Sequence, residues 1–287
     1  MPSLIDIRRR IKSVRNTQQI TKAMKMVSAA KLRRAQDRVI AARPYAALIR
    51  KVLSNLAMAV SADEQSVANP LLARRPEKRI LLLLFTSDKG LAGAFNANLI
   101  KAAQKFFEDH RDGEIEMEAI GRKGRDFFRK RGAKMTGEHV GILGNPRFED
   151  AAAIARKAIE RFREGEIDAV YVLNNEFKSM VAQRLAESKL LPVEIPAHTE
   201  PMDYIFEQPP NQMLEALLPR FVETEVYRSM LETSAAEHAA RMMAMEAATS
   251  NANDMINTLT LYMNRVRQAA ITKEIIEVVS GAAAASE

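Results

Sequence analysis

The chain has 287 residues, 47% of them apolar and 28% charged, enough for two ordinary domains or for one domain with an elongated appendage. That balance excludes wholesale disorder. The lack of cysteine excludes disulfides, thiolate metal sites and cysteine nucleophiles together.

The first element is long, basic and periodic. Residues 1–51 carry 14 Lys or Arg against Asp6 and Asp37, a balance of +12 within a net charge of +7. Steps of three and four from Leu4 meet Ile7, Ile11, Val14, Gln18, Thr21, Lys25, Ser28, Leu32, Ala35, Val39, Ala42, Ala46, Ile49, Leu53, Leu56 and Val60. Only Gln18 to Ser28 interrupts this apolar seam, and so sustained a 3.5-residue period predicts a coiled-coil helix over 1–60. Pro44 predicts a kink rather than a stop.

A proline-bearing linker is expected over 61–78, with Pro70 and Pro76. The pattern then changes. "RILLLLFTS" (79–87) reads as a fully buried strand, followed by the turn "DKGLAG" and a helix from near Ala94. "IEMEAIG" (115–121) reads as a strand, "RKGRDFFRKRG" as a helix, 134–140 as a short strand, 149–163 as a helix and "IDAVYVLNN" (167–175) as a strand. This alternation predicts an α/β, Rossmann-like central domain over 79–208 with a mostly parallel sheet. The segment 179–188 suits strand or helix, 189–202 reads as a loop, and "DYIFEQ" (203–208) reads as an edge strand.

After Pro209 and Pro210, a second long helix is expected over 209–287. Its seam runs Met242, Met245, Thr249, Ala252, Ile256, Leu259, Met263, Val266, Ala270 and Lys273. Two unpartnered stripes in one chain predict that its ends pair, each reaching about 80–100 Å at roughly 1.5 Å per residue. Opposite charge favours the pairing, since residues 211–287 hold 6 basic and 10 acidic residues.

Chemistry is sparse. The turn "SDKGLAGAFN" follows a buried strand, as phosphate-binding turns do, yet Gly90 and Gly93 fit neither dinucleotide nor Walker A spacing, which favours a structural turn. His110, His139, His198 and His238 are scattered, so neither a metal site nor a cofactor is expected. The run Ile80 to Phe85 is far short of the ~20 residues that cross a bilayer, and "MPSLIDIRRR" lacks a signal peptide's apolar stretch. The basic first helix has no interleaved aromatics for stacking on single strands; a solvated face, a nucleic-acid tether or an acidic protein partner each suits it. "ARMMAMEAAT" (240–249) reads as core. The last segment, "ITKEIIEVVSGAAAASE", grows more apolar toward its end, which calls for a covering partner or leaves a frayed tail.

"ITKEIIEVVSGAAA", with Ile271, Thr272, Glu274, Glu277, Gly281 and Ala282, resembles the carboxyl-terminal signature of a known family, the gamma subunit of the F-type ATP synthase. "NTQQITKAMKMVSAAKLRRAQ" (16–36), "ARPYA" (42–46) and "SDKGLAGAFNANL" (87–99) are similar to its other recurrent blocks. The resemblance implies a non-catalytic rotor shaft without cofactor. Its terminal helices would form a long, left-handed antiparallel coiled coil inside a hexamer of alpha and beta subunits, one copy per complex. The central domain would sit beside epsilon and the c-ring, at the cytoplasmic face of the bacterial inner membrane, touching the membrane only through the complex.

The resemblance further implies coupling contacts to the hexamer at Met24, Arg241, Arg267, Gln268, Thr272 and Glu274, with an acidic protein rather than nucleic acid facing the basic helix. It implies an apolar bearing tip at Ile275, Ile276, Val278, Val279, Ala282 and Ala283. A foot toward the c-ring and epsilon would include Tyr204 and Glu207, with Gln208 where the family pattern has proline.

Overall fold

The protein is described from a computed structural model that covers residues 3–61, 69–180, 182–195 and 207–285. The chain forms two compact units, one of Met1–Val27 with Met242–Glu287 and one of Ser28–Arg241. Two long helices contribute to both: α1, Leu4–Ser61, and α5, Pro210–Ala285. α1 continues through Pro44 and α5 through Pro219.

In the first unit the predicted seam closes. Ile7, Ile11 and Val14 of α1 pack on Ile256, Leu259, Met263 and Val266 of α5. Full burial of an isoleucine contributes about 1.5–3 kcal/mol, so these turns supply most of the local stabilisation. The polar break in the α1 stripe is not a gap in the interface. Thr21 and Ser28 are buried, and Thr21 Oγ1 meets Thr249 Oγ1 at 2.8 Å. Gln18 Nε2 donates to Asn253 Oδ1 at 3.4 Å, and Lys25 pairs with Glu246. These partner numbers descend along α5 as they rise along α1, so the pair is antiparallel.

The second unit is built on a five-stranded sheet in the order β3-β2-β1-β4-β5. β1 (Arg79–Phe85), β2 (Glu114–Ile120), β3 (Met135–His139) and β4 (Ala169–Phe177) are parallel, and β5 (Gln183–Leu191) is an antiparallel edge. α2 (Phe95–Asp109), α3 (Arg122–Arg129) and α4 (Phe148–Arg163) make the crossovers. β1 is buried from Ile80 to Phe85 because both sheet faces are covered. On one face Leu81, Leu83 and Phe85 meet Ile154, Ala158 and Phe162 of α4, Leu53 and Leu56 of α1, and Leu218, Val222 and Val226 of α5. On the other, α2 packs on β1 and β4, with Phe106 edge-on to Tyr171.

Of the ambiguous segment 179–188, residues 183–188 are strand, and β5 runs on to Leu191, past the expected start of the loop at 189. Pairing with β4 decides this: Lys189 lies opposite Tyr171 and Leu191 opposite Val170. Glu207 and Gln208 lie in a bend rather than the expected edge strand; residues 203–206 of that expectation, Tyr204 among them, fall outside the described residues.

Charge also orders the middle. Along β2, Glu116 and Glu118 share the face that meets α4. Arg161 Nη2 donates to Glu116 at 2.6 Å, and Lys157 Nζ to Glu118 at 2.6 Å. His139 Nε2 reaches the other Glu118 oxygen at 3.1 Å. Gly137 leaves the space for this carboxylate, since a Cβ there would lie 2.6 Å from Glu118 Cδ. On the α1–α5 side of this unit, Arg50 pairs with Glu225 at 2.8 Å and Arg43 approaches Glu232 at 3.8 Å. Glu232 also accepts from the backbone N–H of Phe177, the last residue of β4, at 2.7 Å.

Candidate functional site

The glycine turn after β1 is consumed by the chain's own groups. Ser87 Oγ donates to the Lys89 carbonyl at 2.6 Å, and Ser87 N–H donates to Asn96 Oδ1 at 3.0 Å. Asp88 accepts from the N–H of Arg122, at the start of α3, and from the N–H of Gly141, both at 3.0 Å. That carboxylate ties the turn after β1 to the start of α3 and to Gly141. Leu91 and Gly93 adopt positive φ (63° and 56°), the turn's conformational requirement.

Arg241 completes that arrangement. It is 7% exposed; its guanidinium donates to Glu237 Oε1 at 2.6 Å and to the carbonyls of Gly90 and Lys89 at 3.3 and 3.4 Å. The side chain thus braces α5 against the turn, and its donors are directed at its own chain. Burial raises the Glu237 pKa although the Arg241 hydrogen bond opposes the rise. Burial, with Arg241, Lys31 and Lys89 nearby, lowers that of His238 to about 4. Sequence patterning placed Arg241 outside the seam but carried no signal for these non-local partners.

The other candidate residues fall in the first unit, apart from the foot. Met24 is half-buried, one residue from the Lys25–Glu246 pair. Arg267, Gln268, Thr272 and Glu274 are exposed, with Thr272 Oγ1 donating back to the Gln268 carbonyl at 3.0 Å. That back-bond leaves the hydroxyl oxygen's remaining acceptor capacity free for an outside donor. Lys273 and Glu277 approach at 3.5 Å. Glu207 is exposed, and the Ala283 side chain lies outside the described residues.

The tip is the clearest anomaly of this unit. Ala270 is the last partly covered residue of α5; from Ile271 to Ala282 every residue is exposed. Ile275 and Ile276 are 57% and 58% exposed, Val278 and Val279 72% and 62%. Aliphatic side chains at 275, 276, 278 and 279 fall within about 160° of the helix circumference at roughly 100° per residue, one broad apolar face with Glu274 and Glu277 on the other side. Left uncovered, that face calls for an apolar partner surface. Among the described residues no group of acidic or histidine side chains could hold a metal, and no helix is long and apolar enough to cross a membrane.

Known proteins share this plan. The family model described as ATP synthase matches residues 3–285. The ATP synthase gamma chain of Solibacter usitatus (strain Ellin6076) is 67% identical, covering 99% of this chain and 100% of its own length. That of Anaeromyxobacter dehalogenans (strain 2CP-C) is 50% identical, with 99% and 100% covered. Among solved structures, a chain from the central stalk and c-ring of Tetrahymena thermophila mitochondrial ATP synthase matches with TM-score 0.61 at 26% identity, covering 80% of this chain and 99% of that one. A chain of the Euglena gracilis mitochondrial enzyme shares the fold at TM-score 0.67 and 17% identity, with 98% and 94% covered.

Proposed function

This chain belongs to the gamma subunit family of the F-type ATP synthase, and from that premise we propose how its residues divide the work of a rotor. The protein is the central rotor shaft, carrying rotation between the c-ring and the catalytic alpha/beta hexamer. It is a subunit of a membrane-associated complex. In our reading it performs no catalysis and sits at the cytoplasmic face of the bacterial inner membrane.

The observation that carries the reading is the uncovered aliphatic end of α5. Apolar contacts are non-directional and vary little with angle, whereas hydrogen bonds fix preferred orientations. Ile275, Ile276, Val278, Val279, Ala282 and Ala283 therefore serve as a bearing inside a collar of the hexamer. Torque needs the reverse: polar contacts that differ among three beta subunits. Arg267, Gln268, Thr272 and Glu274 are exposed beside the tip and supply them, with Met24 as the contact on α1. Arg241 enters this scheme as a brace on the turn at Lys89–Gly90, because its donors are already engaged.

The division into a shaft of 1–60 and 209–287 and a middle of 79–208 follows the same logic. The shaft biases the beta subunits; the middle, with Tyr204 and Glu207, faces epsilon and the c-ring. Rotation of an asymmetric shaft changes which conformation is favoured at each site, since a partner shifts an equilibrium only by its differential contacts with the two states. The test is reconstitution. The purified chain is expected to show no ATPase activity alone and to restore coupled activity when added to alpha and beta subunits; failure to assemble with them contradicts the reading.

A further inference from the structure

Within the Ser28–Arg241 unit, a recess of about 260 Å³ opens between α1, α5 and the turn before α4. Its rim carries Lys31, Arg34 and Arg38; its floor carries the buried Ser234 and His238. Arg38 Nη1 donates to Asn145 Oδ1 at 2.6 Å, which ties the Gly144–Pro146 wall to α1. Among the described residues no carboxylate lines the recess, and no Phe, Tyr or Trp does. Arg34 has no ion-pair partner among them. Lys31 feels Glu237, but that carboxylate is committed to Arg241 at 2.6 Å.

Lys31, Arg34 and Arg38 bring three positive charges to one concavity, an arrangement that favours a negative group between them. Burial, then Arg241, Lys31 and Lys89, lower the His238 pKa to about 4, so its imidazole is neutral near pH 7. A neutral imidazole still has one N–H to donate, and the Ser234 hydroxyl another. The lining is thus rich in donors, of which Arg38 is held by Asn145 Oδ1. A guanidinium fork matches two oxygens of one oxyanion. Without an aromatic wall there is nothing to stack a nucleobase, so the fit is to bare phosphate groups.

We propose that this recess binds a small phosphate-class oxyanion, inorganic phosphate or pyrophosphate, held by Lys31, Arg34 and Arg38 from the rim and by Ser234 and His238 from the floor. The recess belongs to the Ser28–Arg241 unit and its lining includes no tip residue, so the proposal adds to the rotor reading without depending on it. Its occupant belongs to the same chemical class as a reactant of the complex.

The experiment is calorimetric titration of the purified full chain with pyrophosphate, and separately with phosphate, at fixed moderate ionic strength. One saturable site is expected. Arg34→Gln and Lys31→Gln, both at exposed positions with thermal unfolding as a check on folding, should each weaken binding about tenfold. Arg33→Gln, on the same helix but outside the lining, should change it less than about twofold. The His238 imidazole resonances should move in step with saturation. Absence of saturable binding overturns the proposal. So does equal weakening by Arg33→Gln, which would mean diffuse attraction to a basic helix, and so does a His238 signal that stays fixed while pyrophosphate binds.

Discussion

Glu118 shows how a single residue here combines packing and charge. Its carboxylate is buried under α4; burial alone would raise its pKa, yet hydrogen bonds from His139 and Lys157 hold it below the ordinary 4.5. Between that depressed value and about 4.5 the unfolded chain takes up the proton first, so the stabilisation is present above this window and lost as pH falls through it. Glu118→Gln should therefore flatten the acid limb of a plot of melting temperature against pH. At pH 7 it should cost about 1–3 kcal/mol in urea unfolding, toward the low end because Lys157 is half exposed. An unchanged acid limb would show that this carboxylate does not carry the pH dependence. Met24→Lys tests function at the same scale. Met24 is half-buried, and a charge placed there should preserve assembly but lower the protons pumped per ATP hydrolysed; normal pumping would remove Met24 from the coupling contacts. Residues of this kind differ in legibility. Thr272 and Glu274 are named through the family resemblance, and Lys273, which the 3.5-residue period sets on the seam, is exposed. The burial of Glu118 and Arg241 depends on partners 21 to 152 residues away, which no local pattern encodes.

At the scale of elements, the heptad stripe of α1 was legible, but the stretch from Gln18 to Ser28 read as a flaw. It is a polar layer, because α5 presents Thr249, Asn253 and Glu246 to it. That explanation predicts non-additivity. Thr21→Val alone should cost about 1–2 kcal/mol in urea unfolding by leaving Thr249 facing an apolar partner, while Thr21→Val with Thr249→Val should recover most of the loss. Additive losses would mean that the two hydroxyls do not interact. The end of α5 gives the converse case. From Ile271 to Ala282 every residue is exposed, so truncation after Ala270 should leave the unfolding transition of the isolated chain within about 0.5 kcal/mol and reduce its self-association in sedimentation. A large loss of stability would show that the tip packs on its own chain. The sheet was legible where strands are apolar throughout, as in β1, and not at β5, whose "QRLAESKLL" satisfies either period. Only the β4 edge resolves that ambiguity.

For the whole molecule, the fold class and the family could be read from the sequence, since a 3.5-residue stripe at both ends and strand–helix alternation between them leave few architectures. What the structure adds is how the turn after β1 is engaged by its own chain: Asp88 ties it to the start of α3, Asn96 accepts from Ser87, and Arg241 takes the carbonyls of Lys89 and Gly90. The proposed division into an apolar bearing and a foot makes one demand above the others, which is that the foot turn while the hexamer hydrolyses ATP. The chain has no cysteine, so Glu207→Cys provides a unique attachment for a bead on the exposed foot. With the alpha/beta hexamer fixed to a surface and ATP supplied, the bead should rotate in one direction with three stops per turn. A hexamer that contains this chain and hydrolyses ATP while a firmly attached bead stays still would contradict the account.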